Sequence, residues 1–291
     1  MKKIFALLLA MTMVFGMAAC GSSDTQEPAA ENNASNAENA ETTDTAGETT
    51  EETTGDETTA TESDGALTTV TDGVLTMSTN AAFPPYEMTD DNGDIIGIDA
   101  DIAAAIADKL GLELEILDMD FDAALLAVQQ GKSDMVMAGV TVNEDRLAVM
   151  DFSETYANGV QVIITQEGSD VTIDNLGEKM IGTQRGTTGN IYCTDDYGED
   201  HVIAYDNGIT AVQALVNGQI DCVVIDKAPA ESFVAANPGL TILDTEYVTE
   251  DYAIGFAKGN TALVDAVNGA LSELIEDGTV QSIVDTYITA E

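Results

Sequence analysis

Ala124-Leu125-Leu126-Ala127-Val128-Gln129-Gln130-Gly131-Lys132-Ser133-Asp134-Met135-Val136-Met137-Ala138-Gly139 reads as a helix stopped by glycine, two spacer residues, an aspartate, and a strand closed by a second glycine. Ala211-Val212-Gln213-Ala214-Leu215-Val216-Asn217-Gly218-Gln219-Ile220-Asp221-Cys222-Val223-Val224-Ile225-Asp226 repeats the order at an offset of 87 residues. Gly131 matches Gly218, Asp134 matches Asp221, and Asp226 stands where Gly139 stands. Two readings are open: a pair of similar α/β lobes, or chance likeness between two ordinary helix–strand units. In open α/β sheets ligands bind beyond the carboxyl ends of the strands. A cleft between two such lobes would bring Gly139 and Asp226 face to face.

Outward from the repeat, strand-like and helix-like runs alternate. Val74–Ser78 predicts a strand, and Ile98, Ile102, Ile106 and Leu110 predict one helix stopped by Gly111. Leu112–Leu117 predicts a strand, Phe121–Gln130 a helix and Ser133–Ala138 another strand. Strands separated by helices imply parallel sheets with helical faces, an α/β fold.

The chain has 291 residues, 53 Asp and Glu against 9 Lys and Arg, and a net charge of −44. Such a charge repels phosphate backbones, so no nucleic-acid partner is expected. One His, three Cys and no Trp argue against a zinc centre or a disulfide-stapled miniprotein. With 44% hydrophobic residues the chain can still build a core.

Residues 1–19 carry a basic start, an apolar run and small residues, the pattern of a secretory signal peptide. Cys20 follows Ala18-Ala19 and precedes Gly21-Ser22-Ser23, which resembles the bacterial lipobox, with Met17 where Leu is usual. That implies lipidation of Cys20 with diacylglycerol and attachment to the outer face of the cytoplasmic membrane. The plainer alternative is a soluble secreted protein with a stray cysteine. Between 21 and 66 there are 13 Asp and Glu and no Lys or Arg. A segment with so little to bury is expected to be a disordered acidic tether. Residues 67–291, with 40 acidic and 7 basic residues, carry the fold.

Beyond Gly139 the chain offers Thr141 and Arg146. A guanidinium can fork on to a carboxylate; the alternative for Arg146 is a surface pair with Glu144 or Asp145. Asp226 could hold an ammonium group or cap the helix begun by Lys227. Arg185-Gly186-Thr187-Thr188-Gly189-Asn190, between a strand and a helix, presents amides suited to an anion. It lacks the ending of a nucleotide phosphate loop, and no GxGxxG occurs, so no cofactor is expected. Phe83 and Phe121 could sandwich an aliphatic stem, or simply pack the core.

Together these residues resemble the polar amino-acid branch of the bacterial extracellular solute-binding proteins that feed ABC importers. The resemblance spans about residues 72–288. It is carried by Ala82-Phe83-Pro84-Pro85-Tyr86-Glu87, Gly97-Ile98-Asp99-Ala100-Asp101-Ile102, Met119-Asp120-Phe121, Ala138 to Arg146, Asp151-Phe152-Ser153, Gly186-Thr187-Thr188-Gly189 and Gly255-Phe256. It implies a two-lobed, type II periplasmic-binding-protein-like fold with two hinge strands. Lobe 1 would be 67–157 plus 253–291 and lobe 2 would be 158–252, with hinges near Ala157–Val160 and Glu250–Ala253. By matched position, Arg146 would hold an α-carboxylate with Thr141 and the amides near Thr187 and Thr188. Asp226 would take the α-ammonium with the Gly139 carbonyl, and Phe83 and Phe121 would flank the side chain. Asn80, where some relatives carry Asp, and Glu87 would bear on specificity: polar neutral ligands rank first, basic ones close behind, acidic ones last. The implied partners are a free amino acid and a membrane permease, with the receptor a monomer, no metal and no catalytic residue. Rival expectations are a dehydratase-like enzyme on the same scaffold, a sensory ligand-binding lipoprotein, and a surface adhesin. No membrane span follows towards Glu291, which favours a free-standing receptor, and His201 is expected to be a solvated loop residue. Cys193 and Cys222 could pair or remain free thiols in the core.

Overall fold

In the computed structural model, residues 67–288 are described, and they lie within the compact unit Thr61–Glu291. The signal peptide expected over 1–19, Cys20 and the acidic tether expected over 20–66 fall outside the described residues. The chain opens with β1 (Val74–Thr79), β2 (Ala82–Phe83), β3 (Glu87–Thr89), β4 (Ile95–Ile96) and α1 (Ile98–Leu110). Then come β5 (Glu113–Asp118), α2 (Phe121–Gln129), β6 (Met135–Val136), α3 (Glu144–Val149) and the long β7 (Met150–Gln166). The middle of the chain holds β8 (Ile181–Gln184), α4 (Thr188–Tyr197), β9 (Val202–Tyr205), α5 (Gly208–Val216), β10 (Cys222–Asp226), α6 (Lys227–Ala236) and β11 (Leu240–Ile242). It closes with β12 (Val248–Ala257), α7 (Thr261–Glu276) and α8 (Thr279–Tyr287).

Nine strands form one sheet in the order β5-β1-β6-β12-β7-β10-β8-β9, with β11 on β7. On one side β5, β1 and β6 are parallel; on the other β10, β8 and β9 are parallel. Between them β12 and β7 run antiparallel, pairing Ala257 with Met150 at one end and Val248 with Gln161 at the other. The sheet is therefore two α/β halves of matching strand order, joined by two long strands. The stretches expected as hinges pair with each other, Glu250 on Gly159 and Tyr252 on Ala157, and the register shifts beside them at Ala253.

Why the repeat folds twice is visible in its bonds. Gly131 and Gly218 both adopt φ 66°, a left-handed turn that glycine enters without a Cβ clash. Asp134 then donates its amide to the Thr76 carbonyl while its Oδ2 accepts from the Thr76 amide at 2.8 Å. Asp221 does the same to Met180, with Oδ2 at 2.7 Å from the amide. Each aspartate thus ties the turn after a helix to the neighbouring parallel strand. β6 is shorter than the strand expected over Ser133–Ala138, because only Met135 and Val136 are laddered; Met137 still donates to the Ser78 carbonyl at 3.2 Å.

Alternate residues of the central strands feed different layers. Met135 and Met137 pack with Ile98, Ile102 and Ile106 of α1, while Val136 and Ala138 pack with Phe121 and Val128 of α2. In β10, Val223 and Ile225 join Val212, Leu215 and Phe233, and Cys222 and Val224 join Leu176 and Cys193. Both faces are buried, which explains the unbroken apolar run. Burying such side chains contributes about 1.5–3 kcal/mol each before entropy is set against it. Cys193 and Cys222 are free, buried thiols of one cluster rather than a disulfide, and burial pushes both up to about 12. His201 is half-buried in a short 3-10 turn, its Nδ1 3.3 Å from the Lys179 carbonyl oxygen, rather than fully solvated. Among the described residues no helix is long and apolar enough to cross a membrane.

Candidate functional site

The carboxyl ends of the inner strands converge on one cavity, a narrow space of about 20 Å³. All ten residues singled out as ligand contacts line it: Asn80, Phe83, Glu87, Phe121, Gly139, Thr141, Arg146, Thr187, Thr188 and Asp226. Ala138, Gln161, Gln184, Val224, Ile225 and Tyr252 complete the wall.

Arg146 sits in α3, whose first turn is capped by Asn143 Oδ1 accepting from the Arg146 amide at 2.8 Å. The side chain is only 7% exposed, so it is not the surface partner of Glu144 or Asp145. Nη1 donates to the Thr141 carbonyl at 2.8 Å and Nη2 to the Gly186 carbonyl at 3.3 Å, with the guanidinium carbon 5.4 Å from the centre of the Phe121 ring. Among the described residues no carboxylate lies within 4.0 Å of it. Burial lowers its pKa to about 10, partly offset by the charge of Glu250. A buried guanidinium with unspent N–H donors and no ion-pair partner is costly by itself and is relieved by an incoming carboxylate.

Asp226 ends β10 and is 2% exposed. It occupies the cap position of α6, yet its side chain makes no capping hydrogen bond; Oδ2 accepts from the Tyr252 hydroxyl instead. Burial pushes the carboxyl up to about 7, against the hydroxyl of Tyr252 and nearby amides. An ammonium group beside it would favour the ionised form.

Thr187 caps α4, its Oγ1 3.3 Å from the Asn190 amide, so the first turn of that helix opens beside Arg146. Thr141 and Thr188 approach across the cavity, Oγ1 to Oγ1 at 3.4 Å. Asn80 accepts from Gln184 Nε2 at 2.9 Å and donates to the Met119 carbonyl at 2.9 Å. These bonds and the Arg146–Gly186 contact link the two halves, so the cleft is closed. Phe83 stacks on Tyr86 with ring centres 5.8 Å apart, while Phe121 lies under Arg146; both rings face the cavity and neither is purely core. Glu87 is fully buried, and burial together with Asp99 and Asp118 holds its carboxyl well above the usual range.

Sequence reasoning passed over Gln161, Gln184 and Tyr252. Tyr252 lies within the stretch expected as a hinge, and Gln161 pairs with Asp226 across β7 and β10. Gln161 Nε2 donates to Glu250 at 2.8 Å, so the joining strands themselves supply the floor of the cavity. Among the described residues no cluster of three or more His, Cys, Asp or Glu side chains is placed to hold a metal.

Comparison with known proteins follows from this geometry. A probable histidine-binding protein of Neisseria gonorrhoeae is 32% identical over 221 residues, covering 74% of this chain and 82% of that protein. ABC transporter arginine-binding protein 1 of Escherichia coli (strain K12) is 31% identical over 214 residues, 72% of this chain and 88% of that protein. A solved structure of an ancestral arginine-binding protein bound to glutamine superposes with a TM-score of 0.72 and 37% identity, covering 76% of this chain and all of that one. Residues 75–290 match the bacterial extracellular solute-binding proteins, family 3. With its two-lobed type II periplasmic-binding-protein fold, the chain belongs to that family, whose members are binding proteins and not enzymes.

Proposed function

We propose that the protein is an extracellular receptor that closes around one free amino acid and delivers it to an ABC importer. The observation that carries this reading is the pairing of Arg146 and Asp226: buried groups of opposite charge, on one cavity, with no ion pair between them or to any other described residue. An α-amino acid presents a carboxylate to Arg146, Thr141 and the start of α4, and an ammonium to Asp226 and the Gly139 carbonyl. Phe83 and Phe121 flank the side chain. The names of the relatives, histidine-binding, arginine-binding, and arginine-binding with glutamine bound, support an amino-acid ligand with a polar neutral or basic side chain. We take lobe 1 as 67–157 plus 253–291 and lobe 2 as 158–252. The core clusters support this division, with Phe83, Ala228 and the boundary residue Tyr252 packed across it.

Closure needs a ligand that binds the closed form better than the open one. A ligand bridging both lobes has that differential affinity. A micromolar site corresponds to about −8 kcal/mol, a range that two charge-assisted contacts and a ring pair can reach. We further propose a monomer held at the outer membrane face by diacylglycerol on Cys20. The test of the receptor reading is thermal unfolding against each of the twenty amino acids after refolding to strip bound ligand. One or a few polar or basic ones should raise Tm as RT ln(1 + [L]/Kd). A flat response to all twenty would end it, and Arg146→Ala should lose the shift while keeping a cooperative transition.

A further inference from the structure

The oxygens around the side-chain end of the cavity are not accounted for by the protein. Glu87 lines the cavity and is fully buried, and apart from the neighbouring Asp99 carboxyl neither of its oxygens has a hydrogen-bond partner. Gln184, on the other half, also lines the cavity, and its buried Oε1 has no partner. Behind Glu87 lies Asp99 of α1, equally buried: Oδ2 accepts from the Gly139 amide at 3.0 Å, and the carboxyl otherwise meets only the Tyr156 hydroxyl and Glu87. Among the described residues no Lys, Arg or His nitrogen comes within 4.0 Å of either carboxyl. The titratable groups facing the pair are Asp118 of β5, Tyr156 of β7 and Tyr86, none of which carries positive charge.

Two adjoining carboxyls buried without a cation cannot both ionise. One proton must be shared between them, and it stays as long as nothing positive enters. Burial raises both groups, Asp99 to about 6 and Glu87 well above the carboxylate range. The orphaned atoms facing the cavity are acceptors, so they meet a side chain that donates N–H bonds. A carboxamide and a cation both do so, but only the cation makes the shared proton superfluous.

We propose that the Glu87–Asp99 pair carries a proton in place of ligand charge, keeping it when a neutral side chain fills the cavity and releasing it when a cationic one does. The bond broken is the carboxyl O–H of Glu87; the proton leaves to solvent before the cleft closes, and the resulting carboxylate pairs with the ligand cation. One site thereby accepts ligands differing by a full charge while the net charge of pair plus ligand side chain stays the same in both complexes. The inference rests on the amino-acid receptor reading and adds to it a residue that sets specificity.

The test is titration calorimetry of the full chain with arginine and with glutamine, each in two buffers of different ionisation enthalpy. Both ligands present the same α-ammonium to Asp226, so its share cancels in the difference. Arginine should release about one proton more than glutamine, and the ratio Kd(glutamine)/Kd(arginine) should rise up to about tenfold per pH unit between pH 6 and 7. Glu87→Gln should erase the excess release and weaken arginine more than glutamine. If that variant fails to fold, the pH series on the unaltered protein decides alone. Equal proton counts, an excess that survives Glu87→Gln, or failure of either ligand to bind at pH 6 would overturn the inference while leaving the receptor reading intact if another amino acid binds. No binding of any amino acid removes both.

Discussion

At the scale of single residues, Asp226 shows the conflict between fold and site. Its carboxyl in the folded protein lies near 7, above the 3.8 of an unperturbed Asp, so the protonated form is the one the empty closed site favours. The stability it contributes is present in full below pH 4 and is lost as pH rises through 7. Asp226→Asn keeps an acceptor for Tyr252 and removes the charge. Thermal unfolding without ligand should therefore show Asp226→Asn more stable than the parent at pH 8, by roughly 2–4 °C for each kcal/mol of burial cost relieved and so by several degrees in all, converging at pH 4. The same variant should lose the amino-acid-induced shift. An equal Tm difference at both pH values would mean the carboxyl is not strained by burial. Gly189 carries a second lesson. A Cβ there would lie 2.8 Å from Gln161 Oε1, so Gln161 has taken the room that a polar side chain at 189 would need. That contact was hidden in the sequence because the two positions are 28 residues apart and lie on different elements.

At the scale of elements, the two turn aspartates were the clearest signal in the sequence, and the bonds they make explain why. Asp134 is buried and accepts from two amides, Thr76 of β1 at 2.8 Å and Val70 before that strand at 2.7 Å; Asp221 serves Met180 from an exposed position. Asp134→Ala should cost about 2–3 kcal/mol in chemical denaturation and Asp221→Ala about 1 kcal/mol, since unpaired buried amides are the more expensive. Equal costs would say that burial is not what separates them. Gly159 of β7 was not legible as a special position. A methyl there would overlap both Asp226 and the Tyr252 hydroxyl, so Gly159→Ala should weaken amino-acid binding at least tenfold while adding about 1–3 kcal/mol of strain. Helices and inner strands were readable from periodicity and glycine stops. What stayed unread was the floor of the cavity, Gln161 and Tyr252, because strands β7 and β12 take their meaning from a pairing between distant segments that no local pattern announces.

At the scale of the whole molecule, the charged clasp was legible as separate residues but not as an arrangement. Sequence placed Gly139 and Asp226 on matched strand ends with Arg146 beyond the first of them; it could not say that neither Arg146 nor Asp226 would find an ion-pair partner among the described residues. The proposed attachment to the membrane through Cys20 lies outside the described residues. Cys20→Ser should move the protein from the membrane fraction to the medium, and continued attachment would rule out the lipid. Leu67 and Ile288, the first and last described residues, both pack on the same hydrophobic cluster. The opposite half is joined to it through the two crossing strands and the side-chain contacts across the cleft. A pull applied at Leu67 or Ile288 therefore loads one half and does no direct work on the swing of the other.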